Sequence, residues 1–398
     1  MPQITGGNEK EMTGKRTGGI TIRRGGRARY RSERPRERAS GLRMVAVMAL
    51  LSGCVADASV QRPGVASAPP PAVASTPAMS AFPRAEARPQ PVPAGLQSAI
   101  TDLGRHFDGT VGISVRRVGA TWEASWNSRQ LMPQQSVSKL WVAMTTLDAL
   151  DRGKLTLATP VTITARDLTL FHQPLAYMLK SGSYTTQVRD LLTRAMQQSD
   201  NTANDSLLRT VGGPVAVRSF LARRYIPDIR FGPGERLLQS KTAGLEWNQS
   251  MSVGRNFYTA RANLPRSVRE KALDSYLSNP PDGAAAGGIT LALSKLKAGE
   301  MLSPASTQFL LSTMAGAKTG PQRIKGGVSG GWHYAHKTGT GQELGARSTG
   351  YNDVGVLTAP DGTSYAVAVL IASTTQPIPV RWQLMQGVAK AVIANHQP

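Results

Sequence analysis

Val354-Gly-Val-Leu-Thr-Ala-Pro-Asp-Gly-Thr-Ser-Tyr-Ala-Val-Ala-Val-Leu-Ile371 reads as two strands around a tight turn. Both runs are rich in valine, and Pro360-Asp-Gly362 between them supplies the fixed φ of proline and the free φ of glycine that a hairpin turn uses. The signature recurs near the start of the folded region. There Val111, Ile113 and Val115 alternate, Trp122, Ala124 and Trp126 follow, and Leu96, Ile100, Leu103 and Phe107 before them have helical spacing. A last amphipathic stretch, Val380 to Ile393, closes the chain as a helix, and helical patterns fill most of the interval, with Gly153 at a C-cap position. The outline is a sheet assembled from both ends of the chain, with a helical domain inserted between the halves. No internal repeat is visible.

Upstream of residue 95 the chain changes character. Residues 54–94 are crowded with Pro, Ala and Ser, including Pro69-Pro70-Pro71 and Pro91-Val92-Pro93. That composition buries too little apolar surface to order itself and reads as an extended tether. Residues 1–53 form a basic leader with 12 Lys or Arg against 4 Asp or Glu. Its apolar run Met44 to Leu51 is far shorter than the roughly 20 residues of a membrane-spanning helix, and it suits the apolar region of an export signal. The single cysteine, Cys54, follows at once in Leu51-Ser-Gly-Cys54, so no intramolecular disulfide and no cysteine-based metal site can form. Leu-Ser-Gly-Cys resembles the bacterial lipobox. The resemblance implies an exported protein of the cell envelope or periplasm, held on a membrane by lipid at Cys54.

The 398 residues carry a net charge of +22, of which the leader holds +8. The rest is spread without a basic stripe or interleaved aromatics, so the charge describes a solvated surface and nucleic acid is not an expected partner.

The chemistry sits in three short elements. Ser136-Val-Ser-Lys139 opens an apolar run through Leu140, Val142, Ala143, Leu147 and Leu150 that predicts a buried helix. Serine and lysine three apart share a helix face, the helix N-terminus favours a developing alkoxide, and a desolvated Lys139 can take the serine proton. Ser199-Asp200-Asn201 offers a second hydroxyl for proton shuttling and a carboxamide able to hold an amide substrate. Lys337-Thr338-Gly339 ends the strand-like Trp332 to His336 and continues as Thr340-Gly341. Its lysine offers a charge for a substrate carboxylate, and its glycine lets a substrate approach strand N–H groups that can complete an oxyanion hole.

Ser-x-x-Lys, Ser-Asp-Asn and Lys-Thr-Gly in this order resemble the signature of class A β-lactamases and their penicillin-binding relatives. The surrounding text, Gln135-Ser-Val-Ser-Lys-Leu-Trp-Val-Ala143, Gln198-Ser-Asp-Asn-Thr-Ala203 and Gly331 to Gly341, extends the match, which covers about residues 95–398 apart from one insertion. The resemblance implies an α/β fold with an antiparallel five-stranded sheet, flanked by helices, from 95–133 and 325–398. A helical domain over 134–324 carries the inserted loop near 252–284. It also implies a monomer with no cofactor and no metal, whose substrate is a small β-lactam. Ser136 would attack the lactam carbonyl after losing its proton to Lys139 or to a water on Glu235. Backbone N–H groups of Ser136 and Thr340 would hold the oxyanion, and Ser199 would protonate the leaving nitrogen. Lys337, Thr338 and Arg323 would bind the substrate carboxylate, with Asn201, Gly339 and Thr340 completing the substrate site. Two further sequences are set aside: Lys318-Thr-Gly320 matches a loop upstream of the family's strand, and Lys241-Thr-Ala243 lacks the glycine.

A hydrolase must also clear its acyl-enzyme. Glu235 lies 36 residues beyond Ser199, the family's separation for the glutamate that activates the deacylating water. Its surroundings depart from the family in three ways. Gln239 replaces an asparagine that helps to hold that water, and Pro233 and Asn248 stand where an arginine–aspartate pair clamps the loop. Asp205 replaces another asparagine, which would face the glutamate with a second carboxylate and raise one pKa. These departures keep open a penicillin-binding sensor, or a D,D-peptidase-like protein, that acylates but deacylates slowly. The residues between Ser252 and Ala284 that the family pattern lacks contain a predicted helix over Val268–Leu277. His333 and His336, three apart on a strand, face opposite ways and could not share a metal, while His172 falls near the family's aromatic gate. Trp122 and Trp126 read as core.

Overall fold

The computed structural model describes residues 91–398 apart from Lys180, so the basic leader, the export signal, Cys54 and nearly all of the tether lie outside the described residues. Five strands pair antiparallel in the order Ala124–Trp126, Thr110–Arg117, Ser364–Ser373, Tyr351–Thr358, His333–Thr340. The hairpin quoted above supplies the middle of the sheet, with Val354 opposite Ala368 and Val356 opposite Ala366. Its strands read as continuous apolar runs because both faces are covered. On one face Val367 and Val369 meet Leu96 and Ile100 of helix Ala94–Arg105 and Leu384 and Val388 of helix Ile378–Ala394. On the other face Ala366, Ala368 and Leu370 join Ile289 and Leu293 of helix Ala286–Lys297. That last helix falls inside the segment read from sequence as the helical domain, yet it serves the sheet. The segment also contains a two-stranded ribbon, Pro160–Thr164 with Ser183–Gln187, that helical patterning did not foreshadow.

The helix Lys139–Asp151 is buried from Lys139 to Ala149, around its whole circumference. A helix apolar all round belongs at the centre of a domain, and burying side chains such as Trp141 and Leu147 contributes about 1.5–3 kcal/mol each. This central helix holds the reactive turn at its N-terminus. The segment read from sequence as an insertion forms the helices Asn256–Ala262 and Arg266–Ser278, the second of which packs on the helix Glu235–Thr242.

Candidate active site

Ser136 lies not in the α-helix but in the 3₁₀ turn Gln135–Ser138 that feeds it, and Lys139 is the first α-helical residue. Side chains three apart nearly eclipse in a 3₁₀ turn, and Lys139 Nζ donates to Ser136 Oγ at 2.8 Å. The same ammonium pairs with Glu235 Oε1. Lys139 is fully buried and Glu235 is 3% exposed, so this ion pair is held away from water, while Ser136 reaches the surface of the cleft. The turn is strained: Gln135, immediately before the serine, has φ +54° although it is not glycine.

Ser199 is presented by another departure from regular helix. The turn Arg194–Gln198 is π-helical, and Ser199 follows it at φ +61°. Lys337 Nζ donates to Ser199 Oγ at 2.9 Å and to the Thr338 carbonyl at 2.8 Å, which ties the edge strand to the helical domain. Burial, and then the neighbouring Lys139 and Arg323 cations, hold the Lys337 ammonium well below the usual lysine pKa. Asp200, between Ser199 and Asn201, caps helix Asn201–Thr210 by accepting from the Ala203 N–H at 2.9 Å and also accepts from the Leu175 N–H. Asn201 lines the cleft and donates its amide to the Leu170 carbonyl at 2.9 Å.

Ser136, Ser199, Asn201, Thr338, Thr340 and Arg323 are among the residues that line a cleft of about 300 Å³, whereas Lys139 and Lys337 are fully buried, are not among the lining residues and meet the cleft through the hydroxyls of Ser136 and Ser199. Thr319, from the set-aside Lys318-Thr-Gly320, belongs to it as well, its hydroxyl 2.7 Å from that of Thr338. Spacing could not reveal this, because the contact joins a loop to the edge strand. Gly339 differs from expectation. It is not among the cleft-lining residues, and a Cβ there would sit 2.4 Å from the Gln134 carbonyl oxygen. The glycine is required by the backbone of the reactive turn behind the strand, and it is Gly341 that borders the cleft. Arg323 reaches the cleft with its donors largely engaged: it bonds the Gly339 carbonyl at 2.8 Å, the Asn352 carbonyl at 2.6 Å and the Thr340 hydroxyl at 2.5 Å, and stacks on Tyr351. It therefore orients Thr340 more directly than it offers free donors to a ligand.

Around Glu235 each departure from the family text has a structural consequence. Asp205 Oδ1 accepts from the Glu235 backbone N–H at 3.1 Å, while the glutamate carboxylate turns to Lys139. Removal from water, and then the charge of Glu235, push the Asp205 carboxyl up to about 6. Gln239 donates to Gln135 Oε1 at 3.1 Å and to Glu235 Oε2 at 3.4 Å, and accepts from Gln342 at 3.2 Å, so its carboxamide braces the glutamate. In place of an arginine–aspartate clamp, Arg236 donates to the carbonyls of Arg166 and Asp167, while Asn248 caps the turn Gln249–Ser252.

The inserted helices serve both the loop and the rim. Tyr276 hydroxyl accepts from Gln135 Nε2 at 2.8 Å and donates to Asp282, whose Oδ2 accepts the Gln135 backbone N–H at 2.9 Å. Phe257 packs edge-on against Phe171, which borders the cleft beside His172 at φ +58°, and Arg261 reaches the cleft from the same helix. His336 is buried with Nδ1 2.8 Å from Asp353 Oδ1, while His333 is exposed. Among the described residues no group of three His, Cys, Asp or Glu side chains is placed to hold a metal ion, and no helix is long and apolar enough to cross a membrane. Trp122 is buried in the core beside Tyr365, and Trp126, partly buried, packs against the core beneath Gly104 of helix Ala94–Arg105.

The chain is similar to known proteins in sequence and in fold. Beta-lactamase VEB-1 of Pseudomonas aeruginosa is 26% identical over 259 residues, covering 65% of this chain and 76% of that protein. The extended-spectrum beta-lactamase PER-1 of the same organism is 27% identical over 268 residues, 67% of this chain and 76% of that protein. The crystal structure of TLA-3 extended-spectrum beta-lactamase superposes with a TM-score of 0.61 at 23% identity, over 75% of this chain and 96% of that one, a likeness of fold. The model of the beta-lactamase enzyme family matches residues 95–396. The chain belongs to the beta-lactamase enzyme family.

Proposed function

We propose that this serine hydrolase opens the β-lactam amide through an acyl-enzyme on Ser136 and clears it with water activated by Glu235. The observation that carries this reading is the chain of contacts Ser136 Oγ, Lys139 Nζ, Glu235 Oε1, which joins nucleophile, buried base and deacylating carboxylate. The Lys139 ammonium passes a proton to Glu235, and the freed amine takes the proton of Ser136 as its oxygen attacks the lactam carbonyl. The C–N bond breaks, the departing nitrogen takes a proton from Ser199, Ser199 is resupplied by Lys337 at 2.9 Å, and Lys337 recovers its proton from solvent before the next turnover. Once Glu235 has returned its proton to solvent, its carboxylate draws a proton from water as the water oxygen attacks the ester carbonyl; the C–O bond to Ser136 breaks, and that proton passes through Lys139 to the departing serine oxygen. Backbone N–H groups of Ser136 and Thr340 serve the oxyanion, and Lys337, Thr338 and Thr340 bind the substrate carboxylate, with Arg323 orienting Thr340.

Loss of β-lactam absorbance on incubation with the protein tests the reading. Ser136→Ala should abolish it, whereas residual turnover above about one part in a thousand would assign the nucleophile elsewhere. Export and lipid attachment at Cys54 belong to the same reading, supported by the apolar run and Leu51-Ser-Gly-Cys54. Cys54→Ser should then move the protein out of the membrane fraction of its host.

A further inference from the structure

Arg261 comes from the helix Asn256–Ala262, within the segment that the family pattern lacks, and it reaches the cleft that holds Ser136. Its Nη2 donates to the Glu343 carbonyl at 2.6 Å, and its Nε is buried with no hydrogen-bond partner. Among the described residues no carboxylate lies within 4.0 Å of it. The carboxylate of Glu343, whose carbonyl it holds, pairs with Arg381 instead. Arg269, from the next helix, adds a charge of like sign that opposes the Arg261 charge, and it also has a buried, unpartnered Nε. A half-buried guanidinium keeps its charge, so this one is an uncompensated cation facing the substrate site. No Asp or Glu lines the cleft.

Position along the chain bears on the partner of this cation. The substrate carboxylate is assigned to Lys337 and Thr338 on the edge strand, whereas Arg261 holds residue 343, which lies beyond that strand in the short ribbon of Glu343–Leu344 with Arg347–Ser348, at most about 17 Å from Thr338 in extended chain. In a penicillin the ring carboxylate and the acylamino side chain leave the bicycle on opposite sides. Gln239, Gln342 and Arg261 line the same cleft as Ser136 and are free of the carboxylate-binding assignment, so they are the groups available to that side chain.

We propose that Arg261 is an anion-recognising residue that selects β-lactams whose acyl side chain bears a second carboxylate. The inference rests on the reading that Ser136 attacks a β-lactam in this cleft. An Arg–carboxylate pair in a partly desolvated site forms charge-assisted, often bidentate hydrogen bonds, and a neutral side chain forms none.

Benzylpenicillin and its α-carboxy derivative, which differ by that one carboxylate, are the probes, used with the full-length protein. Arg261→Gln should lower the ratio of kcat/KM for the dicarboxylate to that for benzylpenicillin by about tenfold, chiefly through KM, and Arg261→Lys should keep most of the selectivity. In the wild type, raising the salt concentration should raise KM more for the dicarboxylate than for benzylpenicillin, and Arg261→Gln should remove the difference. Turnover of both penicillins with an unchanged ratio in Arg261→Gln would overturn the role of Arg261 alone. Failure of the wild type to open either penicillin would overturn the reading beneath it. Wild-type salt dependence equal for the two substrates would overturn the proposal even if a variant failed to fold.

Discussion

Tyr276 hydroxyl accepts a hydrogen bond at 2.8 Å from the side chain of Gln135, the residue directly before Ser136. The tyrosine stands on helix Arg266–Ser278 and the glutamine on the turn that carries Ser136, so the segment read from sequence as an insertion braces that turn. The same glutamine holds Gln239, which holds Glu235, and all of these groups are buried. A brace of this kind offsets the strain of Gln135 at φ +54°.

Tyr276→Phe removes one hydroxyl from that network and leaves Gln135 Nε2 with the Thr349 carbonyl alone, and Asp282 without its phenol donor. Stability should fall by about 1–3 kcal/mol, the range for orphaning buried partners, as read by urea unfolding. Deacylation should slow along with it, because Gln135 braces Glu235 through Gln239. Unaltered unfolding and turnover would show that the inserted helix does not support the turn.

Asp205 gives a pH dependence of definite sign. Its carboxyl is raised to about 6 in the folded protein against 3.8 in the unfolded chain. Between those values the folded state holds a proton that the unfolded state has released, so stability falls as pH rises through that window. The contribution is complete below about 4 and gone above about 6. Asn at 205 keeps an oxygen for the Glu235 N–H and carries no charge. Asp205→Asn should therefore be more stable than the wild type by about 1–2 kcal/mol at pH 7, with the gap closing at pH 4. An equal gap in urea unfolding at both pH values would contradict this.

Lys337 makes the matching prediction for activity. Its lowered pKa means that the free enzyme loses this cation at a pH below the ordinary lysine range. Substrate carboxylate binding then weakens as pH rises, and kcat/KM, which reports the free enzyme, should show an alkaline limb below pH about 10. Lys337→Arg should shift the limb upward, since guanidinium stays charged. A wild-type profile flat to pH 10 would contradict the assignment.

The sequence was most legible where one residue pattern decides one element. Valine runs around Pro360-Asp-Gly362 yielded the central hairpin, the apolar run after Lys139 yielded the buried helix, and three motifs located Ser136, Lys139, Ser199 and Lys337. What escaped was set by tertiary contact. Gly339 is fixed by the Gln134 carbonyl across a strand, Thr319 by Thr338, and Arg323 by two backbone carbonyls. The positive φ values of Gln135 and Ser199 carry no local sequence signal, because neither is glycine. The helix Arg266–Ser278 was legible as a pattern over Val268–Leu277, but its link to the Ser136 turn runs through Tyr276, whose partners lie 141 residues away at Gln135 and six away at Asp282.

The pairing of Ser136 with Glu235 is tested most directly by following intact mass after mixing the protein with a penicillin, for the wild type and for Glu235→Gln. The wild type should gain one penicillin mass on a peptide containing Ser136 and return to its free mass as substrate is consumed, whereas Glu235→Gln should acylate and keep the adduct. A persistent wild-type adduct would contradict hydrolysis, equal adduct lifetimes would move the deacylating role away from Glu235, and no adduct on the Ser136 peptide in either protein would contradict the acyl-enzyme itself.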